Sequence, residues 1–248
     1  MKKFGLIGHP IAHSLSPTLF KAAYDGRYAY DLIEGEDFET SYRRFIEEYD
    51  AINVTAPFKE AAFAKADILS EECASTGATN LLVKTKEGIK AYNSDFLGVR
   101  MWLSEVTEDL KGVKILIVGL GGAGKAAAAA AESLGMDVIR MNRTVRDSRT
   151  LPLDKFRECL READIMIYNI PASIPELKEL TDSDFSADRT KHILEANYKD
   201  PSLHEVMKPF GSKVAYTGGK TWLLYQAMTG YEILTGEKPD LARMSDVL

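Results

Sequence analysis

Ile115-Leu116-Ile117-Val118-Gly119-Leu120-Gly121-Gly122-Ala123-Gly124 is the stretch on which the fold turns. Four aliphatic residues in a row suit a central parallel strand, which is buried on both faces and needs no polar alternation. The glycines at 119, 121 and 124 follow at once in the spacing G-x-G-x-x-G, and an alanine-rich run, 126–131, follows them. Strand, glycine turn and helix in that order are the context in which this spacing binds a dinucleotide. Glycines let the backbone approach a pyrophosphate, while the free N–H groups and the positive dipole end of the helix attract it. Without a ligand the same residues would be a tight βα turn; the completeness of the context favours the ligand.

The next strand ends in Met141-Asn142-Arg143-Thr144, with Arg146 close by. An NAD site usually places an acid on the ribose hydroxyl about 20 residues after the glycines. Here no acid stands at the strand end. Arginine suits a 2′-phosphate, so the loop reads as NADP-selective. The plainer reading is solvated surface charge.

Outward from this loop, apolar runs alternate with amphipathic stretches along the whole chain. Strand candidates are 4–8, 28–33, 51–55, 80–83, 89–92, 114–118, 138–142, 165–169, 193–196 and 213–216, with helix-like stretches between most of them. This βαβ rhythm predicts an α/β fold with mainly parallel sheets covered on both faces. Two sheets fit better than one. A helix-like stretch, 97–112, closes on Asp109-Leu110-Lys111-Gly112 before the glycine-loop strand begins. The domain change is placed just after Asp95, and the long terminal helix, 219–236, is expected to pack back on the first domain. The expected division is 1–97 plus 219–248 for an N-terminal α/β substrate domain and 98–218 for a Rossmann-type NADP-binding domain, with a cleft between them.

The 248 residues are 45% apolar and 27% charged, ordinary values for a globular protein with a core. A net charge of −6 suits neither nucleic acid nor an anionic membrane, so an anionic ligand has to be met by local positive groups. Cys73, Cys159 and the four histidines form no metal, redox or disulfide pattern. No apolar run approaches the roughly 20 residues of a membrane span, and the first residues lack the apolar core of a signal peptide. The expectation is a cytoplasmic protein, monomer or homodimer, acting on a small molecule, with no metal, nucleic-acid or membrane partner.

In the first domain, Asn53-Val54-Thr55-Ala56-Pro57-Phe58-Lys59 is a buried-looking strand, a proline turn and one lysine. The carboxyl end of a strand is where an open α/β sheet presents its ligands. Asp95 ends another short strand and begins a helix. Alone it reads as a helix cap; facing Lys59 it would complete a proton-handling pair. His13-Ser14-Leu15-Ser16-Pro17 precedes an apolar helix. Ser16 reads as its N-cap, with Pro17 at the first helical position. Ser14 has no capping explanation, and two hydroxyls near a helix start suit a substrate carboxylate. His13 reads as structural.

These residues together resemble the shikimate dehydrogenase family over nearly the whole chain. The likeness rests on Gly8-x-Pro10-x-x-His13-Ser14-x-Ser16-Pro17, Asn53-Val54-Thr55-x-Pro57-Phe58-Lys59, Gly77-Ala78-x-Asn80 and Asn93-x-Asp95-x-x-Gly98. It continues through Gly119-x-Gly121-Gly122-Ala123, Asn142-Arg143-Thr144 and Gln226 on the last helix. The resemblance implies an NADP-dependent, reversible reduction of 3-dehydroshikimate to shikimate, on the way to chorismate and the aromatic amino acids. It implies Lys59 and Asp95 as the catalytic pair and Ser14 and Ser16 on the substrate carboxylate. Thr55, Asn80 and Gln226 would hold ring hydroxyls, assisted by Tyr198. Gly119, Gly121, Gly122 and Ala123 would bind pyrophosphate, and Asn142, Arg143, Thr144 and Arg146 the 2′-phosphate. Asn169, Gly219 and Trp222 would complete the cofactor site.

Three stretches depart from the family pattern. The last helix opens Gly218-Gly219-Lys220-Thr221-Trp222-Leu223 where a methionine is common, Asn169-Ile170-Pro171 lacks a threonine, and Phe96 replaces a small residue. The alternatives are a quinate or aminoshikimate dehydrogenase and, from a different class, a non-catalytic NADP-binding regulator. A pure binder has little need of both Lys59 and Asp95, which argues against the last.

Overall fold

The computed structural model describes residues 2–248. The chain forms two compact units, one made of the residues up to Gly98 with Leu224–Leu248, the other of Val99–Leu223. This division differs from the one expected from the sequence at residue 98 and at 219–223. Both differences lie inside helices that carry the chain from one unit to the other.

The first unit contains β1 (Lys3–Gly8), α1 (Ser16–Tyr24), β2 (Ala29–Glu34), α2 (Phe38–Glu48), β3 (Ala51–Val54) and α3 (Lys59–Ala64). After these come β4 (Ile68–Leu69), α4 (Glu71–Thr76), β5 (Leu81–Thr85), β6 (Gly88–Tyr92) and the start of α5 (Ser94–Val106). Its sheet has the order β2-β1-β3-β5-β6-β4. β1 pairs in parallel with β2 and β3, but β5 is antiparallel to both β3 and β6. This sheet is therefore mixed, where the βαβ rhythm suggested parallel strands. For β5 and β6 the reason is length: a parallel crossover needs a dozen or more residues, and only Lys86-Glu87 separate them.

Alternation along β1 explains how the sheet is covered. Ile7 joins Ile33, Phe45, Ile52, Val54 and Leu82 in a buried cluster that also takes in Phe38 at the start of α2. Phe4 points the other way, into an aromatic stack with Phe20 of α1, whose ring also meets Tyr231. The Asp37 carboxylate starts α2 by accepting the N–H groups of Glu39 and Thr40.

The second unit holds the rest of α5, then β7 (Lys114–Val118), α6 (Gly122–Ser133), β8 (Asp137–Met141), β9 (Thr150–Leu151), α7 (Phe156–Glu162) and β10 (Ile165–Tyr168). It continues with β11 (Lys191–Glu195), α8 (His204–Met207), β12 (Val214–Thr217) and the first turn of α9 (Gly219–Thr235). A last helix, α10 (Leu241–Asp246), returns to the first unit. The second sheet is parallel throughout, in the order β12-β11-β10-β7-β8-β9. That is the doubly wound Rossmann order, in which successive strands leave β7 first to one side and then to the other. Ala126, Ala127, Ala130 and Ala131 of α6 are fully buried. Their small side chains let this helix lie close to the sheet. Among the described residues, no helix is long and apolar enough to cross a membrane.

Candidate active site

In the first unit the topology gathers the chemistry at one edge. β1 and β3 are parallel, so the segments that leave them, toward Ser14 and toward Thr55, start at the same end of the sheet. β5 and β6 form an antiparallel hairpin in which Leu81 pairs with both Asn53 and Tyr92. The hairpin thus begins and ends at that edge, which puts Asn80 before it and Asp95 after it. Asn80 is tied in through its backbone: its carbonyl accepts the Val54 N–H at 2.8 Å and its N–H donates to the Tyr92 carbonyl at 3.2 Å.

Lys59 opens α3, and its Nζ donates to Asp95 Oδ2 in a close ion pair. Their side chains are 22% and 15% exposed, shielded enough to strengthen the pair yet open to a ligand. Asn93 explains the placement of Asp95. Its Oδ1 accepts the Phe96 N–H at 3.2 Å, and its Nδ2 donates to Thr76 Oγ1 and the Ala78 carbonyl at 3.0 Å. Asn93 is therefore the cap of α5, the role that the sequence alone suggested for Asp95. An asparagine directly before a helix was the available signal.

Asn80 is buried, and its amide grips the residue that opens α5. Asn80 Oδ1 accepts the Ser94 N–H at 2.8 Å and Nδ2 donates to Ser94 Oγ at 3.0 Å. Ser94 Oγ donates in turn to Gln226 Oε1 at 3.2 Å. Gly98 permits this approach, because a Cβ there would lie 2.7 Å from the Gln226 backbone nitrogen. Asn80 and Gln226 are thus brought together through Ser94, which the sequence reading passed over.

Thr55 stands at the end of β3, its N–H donating to the Ile7 carbonyl at 2.8 Å. Gly8 leaves it room, since a Cβ at that position would clash with Thr55 Cγ2. Ser14 and Ser16 are half-buried neighbours with their Oγ atoms 3.2 Å apart. Ser16 makes no capping bond with its side chain. Leu15 holds the N-cap position, so the helix starts one residue earlier than expected, and Ser14 Oγ accepts the Ser16 N–H at 3.2 Å. The buried Tyr231 backs this turn, and the half-buried Tyr30 stands on β2. Tyr231 donates to the Ser16 carbonyl at 3.0 Å, and Tyr30 donates to Asn53 Oδ1 at 2.7 Å. Burial raises both phenols well above their ordinary pKa, which keeps them neutral donors.

In the second unit the strand order reverses between β7 and β10, where a doubly wound sheet opens its crevice. Gly119 leaves β7 with φ +87°, and a Cβ on it would meet Ile170 at 2.9 Å. A Cβ on Gly124 would collide with the Gly119 carbonyl oxygen, so the turn admits only glycine there. Gly121 is exposed with open space where a side chain would be, and no side chain caps α6. Its N–H groups are left for an anion. Asn169, at the end of β10, has a buried Oδ1 with no hydrogen-bond partner, a further polar group beside this turn that calls for a ligand. The residues present fit a dinucleotide.

Asn142 joins the two halves of this site. Its Oδ1 accepts the Leu120 N–H at 3.5 Å and its Nδ2 donates to the Thr144 carbonyl at 3.2 Å. Arg143, Thr144 and Arg146 are exposed, and neither arginine has an ion-pair partner among the described residues. Tyr198 lies in the loop after β11, where burial raises its phenol pKa. Gly219 starts α9 with its Cα against β11, because a Cβ would sit 2.5 Å from the Ala196 carbonyl oxygen. Trp222 is packed in the interior, only 5% exposed. No cluster of potential metal ligands occurs among the described residues.

Residues 6–82 match the family model of the shikimate dehydrogenase substrate binding domain, and residues 91–193 that of the D-isomer specific 2-hydroxyacid dehydrogenase NAD binding domain. A curated relative from Staphylococcus aureus, shikimate dehydrogenase (NADP(+)), is 32% identical, the match covering 98% of this chain and 96% of the relative. The crystal structure of shikimate 5-dehydrogenase from Thermus thermophilus in complex with NADP(H) and shikimate superposes with a TM-score of 0.81 at 26% identity, covering 100% of this chain and 98% of that one. Quinate dehydrogenase from Corynebacterium glutamicum in complex with NAD gives a TM-score of 0.83 at 22% identity, over 99% and 98% of the two chains, a likeness of fold. With an ion pair, serine pair and glycine turn placed as above, the full-length similarity settles kinship: the chain belongs to the shikimate dehydrogenase family.

Proposed function

We propose that this chain is an NADP-dependent shikimate dehydrogenase that reversibly reduces 3-dehydroshikimate to shikimate. The observation that carries this reading is the Lys59–Asp95 ion pair, held at the sheet edge where Thr55, Asn80 and the serines also stand. Ser14 and Ser16 would bind the substrate carboxylate, and Thr55, Asn80 and Gln226 the ring hydroxyls, assisted by Tyr198. Gly119, Gly121, Gly122 and Ala123 would hold the pyrophosphate. Arg143 and Arg146, lacking carboxylate partners among the described residues, would take the 2′-phosphate, with Asn142 and Thr144 shaping their loop. Asn169, Gly219 and Trp222 would support the remainder of the cofactor, Trp222 from within the core.

Bound NADPH supplies the hydride. Lys59, oriented by Asp95, gives a proton to the carbonyl oxygen as negative charge develops there, and in the oxidative direction the pair takes that proton back. The hydroxyl-binding groups reject analogues that lack a hydroxyl, since a buried polar group would be left unpaired. A cytoplasmic enzyme working on a small molecule, as a monomer or homodimer, completes the proposal. Lys59→Ala should lower kcat by about two to four orders of magnitude, as loss of a proton-transfer group does, while NADP binding measured by fluorescence titration persists. Unchanged turnover would take Lys59 out of the chemistry.

A further inference from the structure

Glu195, the last residue of β11, is a carboxylate with no exposed surface. It is fully occupied by donors. Oε1 accepts the Ser202 N–H at 2.5 Å and the Ser202 hydroxyl at 3.2 Å, and Oε2 accepts the Leu203 N–H at 3.1 Å and the Tyr216 hydroxyl at 2.7 Å. Burial and this last bond raise the Tyr216 phenol, which keeps it a donor. Only a carboxylate offers acceptors alone to four donors; an amide would turn its own N–H groups on some of them. The bonds close the chain from Glu195 to Ser202 into a short loop, with Tyr198 within it. Asn197 braces the same loop from within. Its Nδ2 donates to the carbonyls of Asp200 and Pro171, and its Oδ1 accepts the N–H groups of Lys199 and Asp200.

We infer that Glu195 is a positioning residue that holds the 196–203 loop, and with it Tyr198, in the form that the proposed activity uses. The inference rests on the proposed shikimate dehydrogenase activity and on the substrate role given there to Tyr198. Glu195 is fully buried and its oxygens are taken up by the chain's own donors, so it acts by fixing where Tyr198 stands. A residue that served folding alone would lower thermal stability and leave the kinetic constants of the folded fraction unchanged.

The test compares Glu195→Gln, Tyr198→Phe and the double variant with the unaltered chain, reading KM for shikimate, kcat and the Kd for NADP. Glu195→Gln should raise the shikimate KM about tenfold with a smaller fall in kcat, and keep the NADP Kd within about twofold. The double variant should be no worse than the worse single variant, because both substitutions remove one contact. Should Glu195→Gln not fold, Tyr216→Phe removes one donor and should raise KM by a few fold. A shikimate KM within about twofold of the unaltered value in the folded variant would overturn the inference. So would multiplying effects in the double variant, or a Tyr198→Phe variant with unchanged KM. Absence of shikimate turnover in the unaltered chain would instead defeat the functional reading itself.

Discussion

Asn93 takes the capping of α5, and the Asp95 carboxylate goes to Lys59. Two nearby polar residues at a helix start thus divide the cap and the ion pair between them. The sequence reading identified Lys59 and Asp95 as a pair, since each ends a strand-like run. It offered Asp95 alone as the cap, although asparagine is favoured at that position as much as aspartate. Ser94 stayed hidden for a different reason: its importance lies in joining Asn80 to Gln226, which are far apart in sequence. The arginines show the opposite case. Arg143 and Arg146 were read as a phosphate clamp because an acid was missing, and neither has an ion-pair partner among the described residues. Arg143→Ala should raise the KM for NADP by roughly tenfold or more, the scale of a charge-assisted hydrogen bond, and change that for NAD little. Equal losses with both cofactors would rule out the phosphate clamp.

At the scale of elements, the apolar runs located the long strands of both sheets to within a residue or two. β4 and β9 went unseen because two residues carry no periodicity. The antiparallel turn from β5 to β6 was readable from the shortness of its connection, and the βαβ rhythm around it masked that signal. β11 holds a second buried charge besides Glu195. Lys191, at its start, donates from Nζ to the Ala163 carbonyl and is only 5% exposed. Its pKa is lowered to about 8, first by burial and then by Arg189, against which Asp164 pulls upward. The folded state therefore binds this proton less readily than the unfolded chain. Its unfavourable effect is complete below pH about 8 and fades as pH rises toward the ordinary value of 10.5. In thermal melts the stability of the unaltered chain should gain on that of Lys191→Met between those pH values. Parallel curves for the two proteins would contradict the assigned environment.

On the scale of the whole molecule, each unit gathers one set of candidate residues at a sheet edge. The first sheet does so by mixing parallel strands with an antiparallel hairpin, the second by the reversal of strand order between β7 and β10. The glycine turn made the second half legible, since its spacing follows from close backbone approach: only glycine fits at 124. The first half had no such local signature, and its residues gained meaning only as a set of short motifs in one order. Fold alone does not choose the substrate, as the likeness to a quinate dehydrogenase shows. In the proposed function the choice would rest on the hydroxyl-binding residues of the first unit and the arginine loop of the second. The most direct measurement is kcat/KM for shikimate and for quinate, each with NADP and with NAD. The account predicts the highest value for shikimate with NADP; a clear preference for quinate with NAD would contradict it.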